Sequence, residues 1–197
     1  MEPAQRREQI LLHAANLFGT RGYHAVSISD IIRDAGIARG TFYIYFKNKR
    51  AIFDEILDIL VVRIKSCIEK VDLSEKAPSV KEQLLSNLAA IFDLLIKNRA
   101  LLSILLEGAV GLDKGFAEKL DGFYRQITDT IDSSLLLGRD MGLIRPCDTR
   151  LAALAAVGAL KEVLHDALRS NNARYDLDSV AAALLDIYMN GTAARQE

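Results

Sequence analysis

The sequence of 197 residues contains little that would cross-link or interrupt a chain: two cysteines, three prolines and twelve glycines. Cys67 and Cys147 lie far apart and match no metal-ligand or redox spacing. We therefore expect no disulfide framework, no metal site and a reducing cytoplasm. With 50% apolar and 26% charged residues, the composition is that of a globular protein that can bury a sizeable core.

Long apolar runs and a targeting signal are also missing. The longest apolar stretches are broken by Asp93, Ser103 and Glu107, so none reaches the roughly 18 residues that a membrane-spanning helix needs. The first residues, MEPAQRREQ, hold no apolar segment of the kind found in signal peptides. We expect a cytoplasmic protein with no membrane partner.

The motifs of the common enzyme classes do not occur. There is no P-loop, no dinucleotide-binding glycine pattern, no nucleophile elbow and no HExxH. The three histidines, His13, His24 and His165, stand in no catalytic or ligand spacing. We predict that the protein is not an enzyme, with no catalytic residues, no metal and no cofactor.

Charge is distributed unevenly around a net value of −1. Residues 1–50 hold eight basic and four acidic side chains, a surplus of +4, so the remainder carries −5. A basic head on an acidic body indicates that only the head meets a polyanion such as nucleic acid. An excess of four charges also occurs by chance, so charge alone does not decide.

Helical periodicity runs through nearly the whole chain, and no convincing strand pattern appears. We predict an all-α fold of about nine helices, near residues 4–20, 28–35, 39–46, 49–71, 79–97, 100–110, 116–139, 149–169 and 177–190. Capping side chains and glycines stand at many of the predicted ends. They are Gly22, Ser27, Gly36, Asn48, Ser79, Gly142 and Asp148.

The second and third predicted helices have helix-turn-helix spacing, since each has about eight residues and Gly36 supplies the turn. On a helical wheel Phe42 and Phe46 point together into the small bundle. The remaining residues of this helix lie opposite or beside that pair: Gly40, Thr41, Tyr43, Ile44 and Tyr45.

A helix that enters the major groove of DNA could use this outer set. Gly40 permits close approach, Ile44 can touch a thymine methyl, and Arg39 at the helix start can reach guanine. Hydroxyls and an amine near a helix N-terminus can bind phosphates. The candidates for that are Thr41, Tyr43, Tyr45 and Lys49.

This region closely resembles the TetR family of bacterial transcription regulators. The resemblance covers about residues 8–58 and rests on the runs SISDII at 27–32, AGI at 35–37 and GTFYIYF at 40–46, followed by Lys49. One departure is Ala38, where the family often has a serine that caps the recognition helix. The residues that we expect at the DNA are Ser27, Ser29, Arg33, Arg39, Gly40, Thr41, Tyr43, Ile44, Tyr45 and Lys49.

The resemblance implies an N-terminal three-helix helix-turn-helix DNA-binding domain (residues 1–48) joined to a helical-bundle effector-binding and dimerisation domain (residues 49–197). The last two helices then pair with their symmetry mates, which places two recognition helices at half-sites about 34–36 Å apart. The alternative is that both helices pack within one monomer. The expected interface residues are Leu151, Leu154, Ala155, Gly158, Leu184, Leu185 and Tyr188.

The resemblance also implies an effector pocket among the fourth to seventh helices. A mostly apolar body favours a lipophilic small molecule held by a few polar groups, although each candidate could equally be ordinary core or surface. The candidates are Phe92, Arg99, Ser103, Glu107, Phe123 and Tyr124.

Together these features predict a homodimeric, ligand-responsive DNA-binding transcription regulator. The resemblance implies a repressor that a lipophilic small molecule releases from a palindromic operator. An activator of the same fold would show the same sequence features. A helical adaptor that does not bind DNA is the alternative from another class of protein.

Overall fold

The computed structural model describes residues 2–97, 102, 105–106, 114–169 and 176–190. Within these residues every regular secondary-structure element is an α-helix, which confirms the all-α prediction. The eight helices are α1 Pro3–Arg21, α2 Ile28–Asp34, α3 Arg39–Tyr45, α4 Lys49–Ser66, α5 Val80–Lys97, α6 Lys114–Asp140, α7 Thr149–Arg169 and α8 Leu177–Asn190. The helix predicted near 100–110 lies almost wholly outside the described residues.

Local side-chain bonds explain why most helices begin where the sequence predicts. The Ser27 hydroxyl accepts from the Asp30 backbone N–H at 3.1 Å, and the Asp30 carboxylate accepts from the Ser27 N–H at 2.9 Å. Asn48 caps α4 by accepting from the Ala51 N–H at 2.8 Å. Gly36 follows α2 with φ +62°, a conformation that glycine adopts without strain. The predicted capping residues are thus confirmed at these ends.

The fourth helix ends earlier than predicted, at Ser66 instead of residue 71. Beyond it, two amide side chains of α5 take over the backbone groups. Asn87 donates to the Glu69 carbonyl at 2.8 Å and accepts from its N–H at 3.2 Å. Gln83 makes the same pair of bonds to Asp72, at 2.8 and 2.7 Å. The backbone N–H and C=O groups of Glu69 and Asp72 therefore have hydrogen-bond partners outside a helix, so the chain can leave the helix after Ser66 without leaving these groups unpaired.

The chain divides into two compact units. The first comprises Met1–Val62 and Asn98–Phe123, and its core is aromatic. Tyr23 makes edge-to-face contacts with Phe18 and Phe53, with ring centroids 5.1 and 5.3 Å apart. Phe18, Phe42, Phe46 and Phe53 are all fully buried. This core fixes the positions of α1, α2 and α3, the helices that make up most of the basic head (residues 1–50).

The second unit comprises Arg63–Lys97 and Tyr124–Glu197. Here α5 packs along α8, and Phe92, Leu95 and Ala181 are buried. In the part of the chain that the structure describes, no helix is long and apolar enough to cross a membrane. The functional division into residues 1–48 and 49–197 remains a prediction.

Candidate nucleic-acid interface

Helix α3 presents two different faces. Phe42 and Phe46 are buried, at 0% and 2% exposure, which confirms their predicted direction. On the other side Ile44 is 77% exposed, the highest value among the exposed large apolar side chains that the structure describes. Such an exposed apolar side chain is removed from water only when another molecule covers it, which is energetically favourable.

Gly40 lies one turn before Ile44 on the same exposed face. A Cβ atom built at Gly40 would meet no atom of the described chain within 4 Å. Glycine inside a helix is less stable than alanine by about 0.5–1 kcal/mol. Since the internal packing does not require glycine here, the residue fits a helix whose backbone must approach a second surface closely.

The start of α3 carries a positive charge without a side-chain cap. Arg39 is exposed, and its guanidinium carbon lies 5.8 Å from the centroid of the Tyr43 ring. Ala38 occupies the N-cap and makes no capping bond. The free backbone N–H groups and the arginine therefore leave this end of α3 open to an anion.

The other end of α3 is held by Arg7, a residue that the sequence analysis did not single out. Its Nε donates to Glu55 Oε1 at 2.8 Å, and Nη2 pairs with Glu55 Oε2. Its Nη1 donates to the carbonyl oxygen of Tyr45, the last residue of α3, at 3.0 Å. The guanidinium carbon also stands 4.5 Å from the Phe46 ring centroid. One side chain of α1 thus joins α4 to the recognition helix.

The sequence contains a signal for Arg7. It lies four residues before the buried Leu11 and seven before the buried Ala14, so it continues the apolar stripe of α1. A charged residue on a buried stripe needs a partner. Gln9, also missed, donates to the Ala35 carbonyl at 3.1 Å and holds the end of α2.

The predicted DNA residues of α2 fall into two groups. The Ser27 hydroxyl donates to the Asp30 carboxylate at 2.6 Å and caps the helix; these bonds also lower the pKa of Asp30. Ser29 is exposed. Arg33 is exposed although it pairs with Asp30. Ser29 and Arg33 are therefore accessible from solvent, Arg33 while paired with Asp30, whereas the Ser27 hydroxyl is engaged in capping the helix.

Lys49 is placed differently from a freely exposed phosphate ligand. Its amine donates to the carbonyl oxygens of Tyr23 and Val26, both at 2.7 Å. Burial lowers the pKa of this amine. Two of its three hydrogens are therefore used within the chain, and a phosphate contact by Lys49 remains a prediction that rests on the third.

Thr41 and Tyr45 lie at intermediate exposure on the flanks of α3, and Tyr43 is exposed. The structure therefore brings seven of the predicted DNA residues to accessible positions on α2 and α3 of one compact unit. They are Ser29, Arg33, Arg39, Gly40, Thr41, Tyr43 and Ile44, with Tyr45 at the clamped end. Their contacts with DNA stay predictions.

The predicted dimer residues of α7 share one exposed face. Leu151 and Leu154 are 64% and 51% exposed, and Ala155 and Gly158 are exposed beside them. On α8, Leu185 is buried within the unit in which α8 packs along α5, and its place in a dimer interface stays a prediction. Leu184 is half-buried and Tyr188 is exposed. Two further apolar side chains of α8 are exposed: Ile187 and Met189.

The predicted effector residues are only partly described. Phe92 and Phe123 are buried in their respective units. Tyr124 is half-buried, and burial raises its pKa to about 12; the Lys161 amine lies 4.9 Å from its ring centroid. Three further candidates lie outside the described residues: Arg99, Ser103 and Glu107. The described residues contain no cluster of ligands for a metal ion.

A short helix with a buried aromatic side, an open N-terminus and an exposed apolar and basic side, set after a glycine turn, defines a helix-turn-helix DNA-binding protein. The sequence profile of bacterial regulatory proteins of the TetR family matches residues 10–56. The chain is a member of the TetR family and acts as a DNA-binding transcription regulator.

The likeness extends beyond this segment. The chain is 27% identical over 186 residues to the fatty acid metabolism regulator protein of Bacillus subtilis, covering 93% of each. It is 26% identical to the transcriptional regulator FadR from Bacillus subtilis in complex with stearoyl-CoA, with a TM-score of 0.78 over 94% of this chain and 99% of that one. FadR from Bacillus halodurans, a fatty acid degradation regulator, gives a TM-score of 0.80 at 25% identity, covering 96% and 97%.

Proposed function

We propose that this regulator is a cytoplasmic homodimeric repressor that binds a palindromic operator and is released by a long-chain acyl thioester. The observation that carries the DNA-binding part is the exposed side of α3, where Gly40 and Ile44 lie on one face beside Arg39. The full-length likeness to fatty acid regulators supports the effector class. One of those structures holds stearoyl-CoA.

The contacts divide into two kinds. We assign base reading to Arg39 and Ile44, because a guanidinium matches the edge of guanine and an apolar side chain matches the thymine methyl. Phosphate contacts, which position the protein without reading sequence, are assigned to the polar groups around them. These are Ser29, Arg33, Thr41, Tyr43 and Tyr45.

The exposed face of α7 supports the homodimer. Leu151, Leu154, Ala155 and Gly158 form a row of apolar or small residues at helical spacing, and Tyr188 of α8 is exposed as well. An isologous interface lets the same patch cover itself. A two-fold dimer also matches a palindromic operator, whose half-sites lie about 34–36 Å apart or at multiples of that distance.

The effector acts through differential binding. A ligand that favours the geometry unable to bind the operator must do so by its difference in affinity for the two states. A tenfold loss of operator affinity needs about 1.4 kcal/mol of such coupling. An acyl chain offers the apolar surface that a helical bundle can bury.

The DNA-binding proposal is tested by titrating the purified protein with DNA flanking its own gene, in rising salt, against a scrambled competitor. Selective binding with a steep salt slope is expected. The Arg39→Gln variant should lose selectivity between the two DNAs. Arg145→Gln, which removes an exposed arginine of the second unit, is the matched control and should retain it. Failure to bind even after selection from a random library would favour the adaptor alternative.

The effector proposal has a separate test on the protein–operator complex. Stearoyl-CoA should dissociate the complex, whereas free coenzyme A and stearate at the same concentration should not. Tighter operator binding with stearoyl-CoA would contradict repression by release. An unchanged affinity would contradict the acyl-thioester class and leave DNA binding intact.

A further inference from the structure

We propose that Arg7 is a positioning residue for operator recognition, which orients the recognition helix α3 by clamping its C-terminal end to α4. The inference rests on DNA binding by α3. It assigns to Arg7 and Glu55 a role in that binding although neither belongs to the face that meets DNA.

The need for such a clamp follows from the length of α3. With seven residues, this helix is far shorter than the roughly 12 residues at which isolated helices become even marginally stable. Its direction must therefore come from tertiary contacts. Phe42 and Phe46 bury one side, but apolar packing alone is not directional, so a hydrogen-bonded anchor adds what packing lacks.

The Arg7 side chain supplies three contacts that fix this end. It donates to the Tyr45 carbonyl, which is one of the carbonyls that no intrahelical partner satisfies at a helix C-terminus. Its charge is favourable beside the negative end of the helix dipole. The Phe46 ring lies under the guanidinium, which adds a cation–π contact.

Glu55 fixes Arg7 in turn. The pairing is bidentate, and a guanidinium fork held by a carboxylate has one orientation. Glu55 lies on α4. Through Arg7 it therefore holds the C-terminal end of α3 in a fixed position relative to α4. Lysine in place of Arg7 keeps the charge but does not reproduce the fork.

The two variants that break the clamp are Arg7→Lys and Glu55→Gln. Each should lower operator affinity about tenfold, which corresponds to about 1.4 kcal/mol. The slope of log affinity against log salt should stay constant, because no phosphate contact is lost; a direct phosphate ligand would lower it by about 0.9. Because lysine could keep a phosphate contact, the slope is also measured for Arg7→Met, which removes the charge; a slope lowered by about 0.9 in that variant would overturn the positioning role.

Glu55→Gln gives the sharper result because the two explanations predict opposite changes in operator affinity. Removing a negative charge near DNA strengthens binding by general electrostatics, whereas loss of the clamp weakens it. Asp58→Asn is the matched control: Asp58 is also on α4 and is paired, with the Lys119 amine at 2.5 Å, and within the described part of the chain this pair does not involve α3. If Glu55→Gln binds the operator as well as Asp58→Asn does, the proposal is wrong and DNA binding by α3 still stands.

Amide hydrogen exchange in the free protein provides a readout that needs no DNA. The Phe46 N–H donates to the Phe42 carbonyl at 3.0 Å at the clamped end of α3. Its exchange should accelerate several-fold in Arg7→Lys and Glu55→Gln, while exchange in the core of α1 and exchange in Asp58→Asn stay as in the original protein. Unchanged exchange at α3 would overturn the clamp, and general acceleration would assign Arg7 to overall stability instead.

Discussion

The amine of Lys49 lies 4.2 Å from the centroid of the Tyr23 ring and donates to the Tyr23 carbonyl oxygen at 2.7 Å. A second bond of the same length to Val26 ties the first turn of α4 to the segment between α1 and α2. The residue that the sequence analysis proposes as a phosphate ligand therefore also belongs to the internal framework of the head.

The Lys49→Met variant should be less stable than the original protein. Methionine keeps the apolar stem but leaves two backbone carbonyls without their charged donor, and such bonds contribute about 1.5–3 kcal/mol each at most sites. Because Lys49 is only partly buried, water can replace part of these bonds, and we expect the free energy of unfolding to fall by about 1–3 kcal/mol in total, measured by urea denaturation.

Lys47→Met is the control for this prediction, because Lys47 is exposed two residues earlier. Its stability should change little. Equal stability of the two variants would show that the Lys49 bonds contribute nothing. The salt dependence of operator binding separates the second role: a slope reduced by about 0.9 in Lys49→Met indicates that its third N–H reaches a phosphate.

Gly40→Ala should stabilise the protein and weaken operator binding at the same time. The added methyl meets no atom of the described chain within 4 Å, so the helix gains about 0.5–1 kcal/mol. In the complex with DNA, the same methyl would fill the space through which the backbone at Gly40 approaches the DNA, so operator affinity should fall. Thermal unfolding and operator titration measure the two effects.

Gly122→Ala tests the same substitution away from the DNA face. Gly122 lies inside α6 and its Cβ position is also open within the described residues. This variant should gain comparable stability with unchanged operator affinity. If Gly40→Ala binds the operator as well as Gly122→Ala does, close approach at Gly40 is not part of recognition.

The elements that sequence predicts well are those decided by neighbours in the chain. Ser27 caps α2 through Asp30, and Gly36 turns the chain immediately after the helix. The contacts of Arg7 with Glu55 and of Lys49 with Val26 join residues 48 and 23 positions apart. Helical periodicity shows that a charged residue such as Arg7 lies on an apolar stripe. It does not identify the partner, because only the folded chain brings that partner close.

The last helix shows a second limit. Its residues are apolar on nearly every side, so a wheel does not distinguish the side packed on α5 from a side left for a partner. Leu185 faces the core, whereas Ile187 and Met189 face solvent. On α7 the exposed row that includes Leu151 and Leu154 was found, because the small residues Ala155 and Gly158 mark it.

Alkaline unfolding should report on Tyr124. Burial raises its pKa from 10.0 to about 12, so between these values the folded protein retains a proton that the unfolded chain has lost. Stability from this group is therefore full below pH 10 and falls as pH rises toward 12. Tyr124→Phe should flatten that part of the profile in urea titrations at pH 8, 10 and 11. Parallel profiles for the two proteins would show that another group controls the alkaline transition.

Leu154→Glu should convert the homodimer into monomers. Leu154 is 51% exposed in the single chain, so a glutamate there is tolerated in the monomer but places two like charges close together at a two-fold interface, and burying them costs several kcal/mol. Leu12→Glu is the matched control, since Leu12 of α1 is 60% exposed and lies outside the proposed interface. Sedimentation velocity should give the monomer mass for Leu154→Glu and the dimer mass for Leu12→Glu and the original protein. The loss of the dimer should also reduce the affinity of Leu154→Glu for a full palindrome toward its affinity for a half-site. If Leu154→Glu remains a dimer, the exposed face of α7 does not form the centre of the interface.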